Sequence, residues 1–105
     1  MKVIRNKTIP FGRYKAMLLF GLLFVKGNMT DIDTNHETIH DTQCRELLYV
    51  GFYLWYLIEW IVRLLIYRNW SAAYRNISFE REAYYNECNL KYINERELFN
   101  FINYI

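Results

Sequence analysis

The sequence predicts an α+β fold, mainly helical, in which a short N-terminal sheet packs on a helix that carries the chemistry. Three features lead there: an apolar decapeptide at 16–25 broken by Gly21, a His-Glu-x-x-His run at 36–40, and a long apolar stretch from Leu47 to Tyr67. At 105 residues the chain suits one domain. Residues 11–30 read as short strands and loop, 31–68 as the motif helix and an apolar helix, and 71–105 as a glutamate-bearing helix and a C-terminal helix. Apolar residues make up 53% and aromatic residues 19%, more than usual for a domain surrounded by water. Such a chain packs tightly or offers apolar surface to a partner. The net charge is only +2, and no basic run or reader motif stands out, so nucleic acid is excluded as the expected partner.

The first fifteen residues include Lys2, Arg5, Lys7, Arg13 and Lys15, ahead of the apolar decapeptide, and superficially resemble a signal peptide. Lys26-Gly27-Asn28-Met29 comes next instead of a small-x-small cleavage site, and ten apolar residues are too few to span a bilayer. Two strands are expected, 14–20 and 22–25, with Gly21 as a bulge, kink or turn. With no cleavable signal peptide recognised, the expected location is cytoplasmic or membrane-associated. The two cysteines, Cys44 and Cys88, are expected to be free thiols.

Residues 26–35 have a loop composition, and Asp31 or Asp33 is the expected cap of the next helix. On that helix His36 and His40 are one turn apart and can share a metal ion. Glu37 beside them is placed to act as a general base. Gln43 shares their face and can orient a histidine or a substrate; Cys44 reads as a buried structural thiol.

Between Leu47 and Tyr67 the only charges are Glu59 and Arg63, spaced i, i+4 and aligned with Tyr56 and Tyr67 in one polar stripe. That stripe argues for a helix packed on the domain, with its remaining surface available for peripheral membrane contact or self-association, rather than a spanning helix. Asn69 or Ser71 is expected to cap the segment after Tyr67. A further helix covers residues 78–85, starting near Asn76 or Ser78.

A hydrolytic zinc site takes three protein ligands, and a carboxylate on this later helix is the economical third. Glu80 is the choice and Glu82 the reserve; they point about 200° apart on a helix, so only one can face the histidines. Ala83 would let the two helices approach closely, and Tyr84 could bond the ligand carboxylate or stabilise an oxyanion. In the tail, Leu98, Phe101, Ile102 and Ile105 share one helical face after a cap at Asn89. Glu95, Arg96 and Glu97 read as solvated, with Arg96 a candidate clamp for a substrate carboxylate.

His36-Glu37-x-x-His40-x-x-Gln43, followed by Glu80-x-x-Ala83 in a Phe-Glu-x-Glu-Ala context, resembles the gluzincin class of zinc metallopeptidases, particularly the very small minigluzincins. The resemblance covers roughly residues 11–104. It implies His36, His40 and Glu80 as zinc ligands, Glu37 as the base and a peptide or protein as substrate. Tyr84 stands where that class often has Asp. The competing expectations are a catalytically silent metal-binding protein, a membrane-peripheral or interaction protein that needs no metal, and a di-iron carboxylate bundle. The last would need a second Glu-x-x-His from a dimer partner.

Overall fold

A computed structural model describes residues 1–7 and 16–105. The architecture is α+β and mainly helical, with a three-stranded N-terminal sheet followed by helices. Strands β2 (Ala16–Leu19) and β3 (Leu22–Val25) form an antiparallel hairpin in which Leu18 faces Leu23. Phe20 and Gly21 join them with φ of 49° and 84°. Two consecutive positive φ values in a two-residue loop match the right-handed twist of a tight hairpin, so Gly21 marks a turn rather than a bulge. The first two residues of the expected 14–20 strand, and Arg13, lie outside the described residues.

A strand that sequence reasoning missed, β1 (Lys2–Arg5), pairs parallel with β3 and gives the order β1-β3-β2. Its Lys-Val-Ile-Arg sets two β-branched residues between two cations, and only Ile4 is partly covered, so the segment carries no period-2 alternation to mark it as a strand.

Helix α1 (Asp31–Glu46) is capped by Thr30, one residue before the acidic pair expected to cap it. The Thr30 hydroxyl accepts from the Asp33 amide at 3.1 Å, and the Asp33 carboxylate accepts from the Thr30 amide at 3.0 Å. Two orphan amides are thereby satisfied at once, and Asp33 serves as the far half of a capping box. Leu48 and Tyr49, at φ of 56° and 62°, then separate α1 from α2 (Val50–Tyr67), so the apolar helix starts three residues later than the apolar sequence does. Arg68 closes α2 in the left-handed region, its amide donating to the Leu64 carbonyl at 2.8 Å. Asn69 caps α3 (Trp70–Arg75) through Ala72, whereas Ser71 lies within that helix.

Helix α4 (Ser78–Asn86) has no side-chain cap of its own. Glu59 of α2 supplies one: its carboxylate accepts from the Ser78 amide at 2.7 Å and the Ser78 hydroxyl at 2.6 Å. An anion at the positive end of a helix is stabilising, and here it also fixes α4 against α2.

Phe52, Phe79, Ile77, Phe101 and Cys44 form the main core, and Ile39, Ala83 and Tyr92 a second one that seats α4 on α1. The expected C-terminal helix is only a four-residue helix α5 (Tyr92–Glu95) and a 3-10 segment, Asn100–Tyr104. Phe101 is buried, whereas Leu98, Ile102 and Ile105 are exposed. Phe99, at φ 56°, breaks the periodicity on which the longer helix was based. Arg96 is not solvated: its side chain is 2% exposed and pairs with Glu46 and Glu82.

Candidate metal centre

His36 and His40 project from α1 and Glu80 from α4, all three buried. His40 Nε2 lies 3.1 Å from His36 Nε2 and 3.0 Å from Glu80 Oε1, while His36 Nε2 lies 3.4 Å from the same oxygen. One ligand atom from each residue falls within 4.8 Å of the other two, so the triad can hold a metal ion.

The neighbouring bonds fix how the imidazoles present themselves. Gln43 Nε2 donates to the Phe79 carbonyl at 3.1 Å and to Glu82 Oε1 at 2.8 Å, which leaves Gln43 Oε1 as an acceptor. His40 Nδ1, 2.8 Å from that oxygen, therefore carries the proton. His36 Nδ1 faces the Glu87 carboxylate at 3.0 Å and is protonated for the same reason. Both Nε2 atoms then turn bare lone pairs toward each other and toward a carboxylate oxygen. Three electron pairs at this separation require a positive charge between them, either a proton or a metal cation.

The titration behaviour has the same origin. Burial alone would lower the His40 imidazole, but the Glu80 carboxylate outweighs it and raises His40 to about 9. Burial pulls the Glu80 carboxyl upward, yet the two histidines hold it far below the usual carboxylate range. Glu37 is raised, chiefly by burial, with His40 and His36 opposing.

The two later glutamates take different roles. Glu80 Oε1 faces the histidines while its Oε2 accepts from the Tyr56 hydroxyl at 2.8 Å. Glu82, fully buried on another face of α4, accepts from Gln43, from the Tyr92 hydroxyl at 2.5 Å and from Arg96 at 2.6 Å. It lies outside the triad. Arg96 is consumed by Glu82 and Glu46 and is not free to clamp a substrate carboxylate.

Tyr84 does not bond Glu80. Its ring stands edge-on to His36 at 4.6 Å and its hydroxyl lies 3.3 Å from that of Tyr74, with the Arg75 guanidinium 3.8 Å above the ring. The partner of Glu80 is Tyr56, whose place on the polar stripe of α2 was legible but whose reach to α4 was not. Cys44 is buried in the main core and takes no part in the triad.

The triad opens onto a cavity of about 340 Å³ whose wall includes Glu37, Tyr53, Tyr74 and the four residues of β2. Tyr74, which sequence reasoning passed over, is raised well above the ordinary phenol value by burial and remains a hydrogen-bond donor at neutral pH. Strand β2 lies at the margin of the three-stranded sheet, with β3 its one strand neighbour among the described residues. The Tyr53 hydroxyl donates to the Leu18 carbonyl at 2.9 Å and tethers β2 to α2.

Comparison with protein-family models, with curated proteins and with solved structures found no match for this chain. The reading of the site therefore rests on its geometry.

Proposed function

We propose that this chain is a zinc-dependent metallopeptidase of the small gluzincin type, with His36, His40 and Glu80 as ligands. The observation that carries the reading is the convergence of one ligand atom each from His36, His40 and Glu80 within 4.8 Å. Two histidines and a glutamate are a donor set of hydrolytic zinc sites, which keep a further position open. Zinc held there supplies Lewis acidity and activates water at neutral pH.

The chain's own residues account for the rest of the chemistry. Glu37 lines the same cavity, and a carboxylate raised by burial is better matched to accepting a proton and returning it near neutrality. Tyr74 and Tyr84 offer hydroxyl protons near the triad for an oxygen that gains charge. Strand β2, bordering the cavity, can pair with an extended peptide by strand addition, and Phe52 and Met17 offer apolar contact for its side chains. Gln43 and Glu87 keep the two histidines in the required tautomer.

The test is metal analysis of the purified protein combined with cleavage of an unstructured peptide library. About one zinc per chain is expected, with cleavage near apolar residues that is abolished by chelator. A zinc-loaded protein that cleaves nothing would replace the enzyme with a catalytically silent metal-binding protein. A protein that takes up no zinc on reconstitution would remove both readings.

A further inference from the structure

Helix α2 is the second notable feature of the molecule, and its chemistry is independent of the metal centre. Its inward side carries Phe52, Tyr53, Tyr56 and Glu59, which face the core, β2, Glu80 and Ser78. Its outward side carries Leu54, Leu57, Ile58, Ile61, Val62, Leu65 and Ile66, each between 45% and 73% exposed. At 100° per residue these seven aliphatic side chains, without one polar residue among them, cover about half the circumference of the helix. Together they expose roughly 700 Å², more than the largest apolar patch of a typical soluble monomer.

Breadth and charge decide what covers this face. A second α2 laid along Leu54, Ile58, Ile61 and Leu65 would occupy a seam of about 100° and leave aliphatic surface on both flanks wet. It would bury roughly half of the ~800 Å² per partner usual in a stable interface. Lipid has no such limit and covers the whole arc.

One cation ends the helix and another lies on the neighbouring sheet. Exposed Arg68 closes α2, and Lys2 of β1, exposed, donates its backbone amide to the Gly21 carbonyl at 2.8 Å, in the turn that the Tyr49 hydroxyl approaches. Trp70, exposed and tilted against Trp60 at 5.1 Å, follows Arg68 by two residues and suits a headgroup layer. The single carboxylate of α2, Glu59, is turned inward onto Ser78.

We infer that α2 lies in the plane of an anionic bilayer surface, its aliphatic half in the acyl boundary and its polar half holding the domain. The length and composition of α2 would also suit a membrane span. Its Tyr56, Glu59 and Arg63 are bonded to the domain or to each other on the inward side, however, and a spanning orientation would carry those groups into the hydrocarbon.

The test is co-sedimentation of the full chain with vesicles containing one third phosphatidylglycerol in phosphatidylcholine, and with phosphatidylcholine alone. Binding is expected to the anionic vesicles, weaker by at least tenfold on the neutral ones, and released by alkaline carbonate. Ile61→Gln with Leu65→Gln is expected to lower partitioning at least tenfold at unchanged helical circular dichroism. Lys2→Glu with Arg68→Glu, which leaves the aliphatic face intact, is expected to abolish the preference for anionic lipid. Retention through carbonate would overturn the in-plane arrangement in favour of a span. A soluble dimer that ignores vesicles and is dissolved by the glutamine pair would overturn the lipid in favour of a second copy.

Discussion

The Tyr56 hydroxyl bonds one oxygen of Glu80 at 2.8 Å while the other oxygen of that carboxylate faces His40 at 3.0 Å. The phenol thus decides which lone pairs Glu80 offers. Tyr56→Phe keeps the ring in its stack on Phe79 and removes only this bond. Metal affinity is expected to fall on the order of tenfold, as it does when a group that orients a ligand is lost. Competition with a chromophoric chelator measures it, and an unchanged affinity would show that Glu80 is held by the histidines alone.

The two glutamates of α4 are expected to fail differently. Glu80→Ala should abolish metal uptake. Glu82→Ala should leave stoichiometry intact in the folded fraction but destabilise the fold by about 3–5 kcal/mol, because a buried Arg96 would lose one of its two carboxylates. Urea melts and metal analysis of the two variants separate these outcomes; the same loss of metal in both would mean that Glu82 also supports the centre.

For Glu37 the expectation is full metal retention and loss of hydrolysis. Glu37→Gln preserves shape and removes the group that accepts a proton, an effect of about 10² to 10⁴ in rate. Activity within a few-fold of wild type at full zinc occupancy would remove Glu37 from the reaction.

The two thiols should report burial. Burial raises the Cys44 thiol to about 12, so at pH 8 it remains protonated, and the thiolate is the reactive form. Cys88 is exposed. One thiol per folded chain is expected to react promptly with a disulfide reagent at pH 8, and the second far more slowly until denaturant exposes it. Raising the pH toward 12 should speed the slow thiol, because its ionised fraction grows tenfold per unit. Prompt reaction of both at pH 8 would place Cys44 nearer the surface than the fold allows.

The fold class and the residues that meet at the triad were legible because both follow from local periodicity. Histidines four apart share a helix face wherever that helix goes, and Glu80 and Glu82 cannot face the same way on one helix. The features that stayed hidden depend on contacts distant in sequence. Thr30 was overlooked as the cap because the acidic residues after it give a louder signal, although Asp33 completes its box. β1 was hidden because a parallel partner twenty residues away leaves no mark on a four-residue segment. Arg96 looked solvated between two glutamates that are exposed, yet its partners are Glu46, fifty residues earlier, and Glu82. The tail helix failed because periodicity says nothing about Phe99 adopting a left-handed conformation.

Tyr56 and Glu59 are one turn apart on α2, and they bond Glu80 and Ser78, two residues apart on α4. These paired bonds act as the teeth of a gear: α2 cannot rotate about its own axis without shifting the carboxylate that faces the histidines. The d–d spectrum of cobalt placed between His36, His40 and Glu80 would therefore serve as a gauge of helix phase, read at the centre of the domain while the disturbance is applied to Ile61 or Leu65 on its outside.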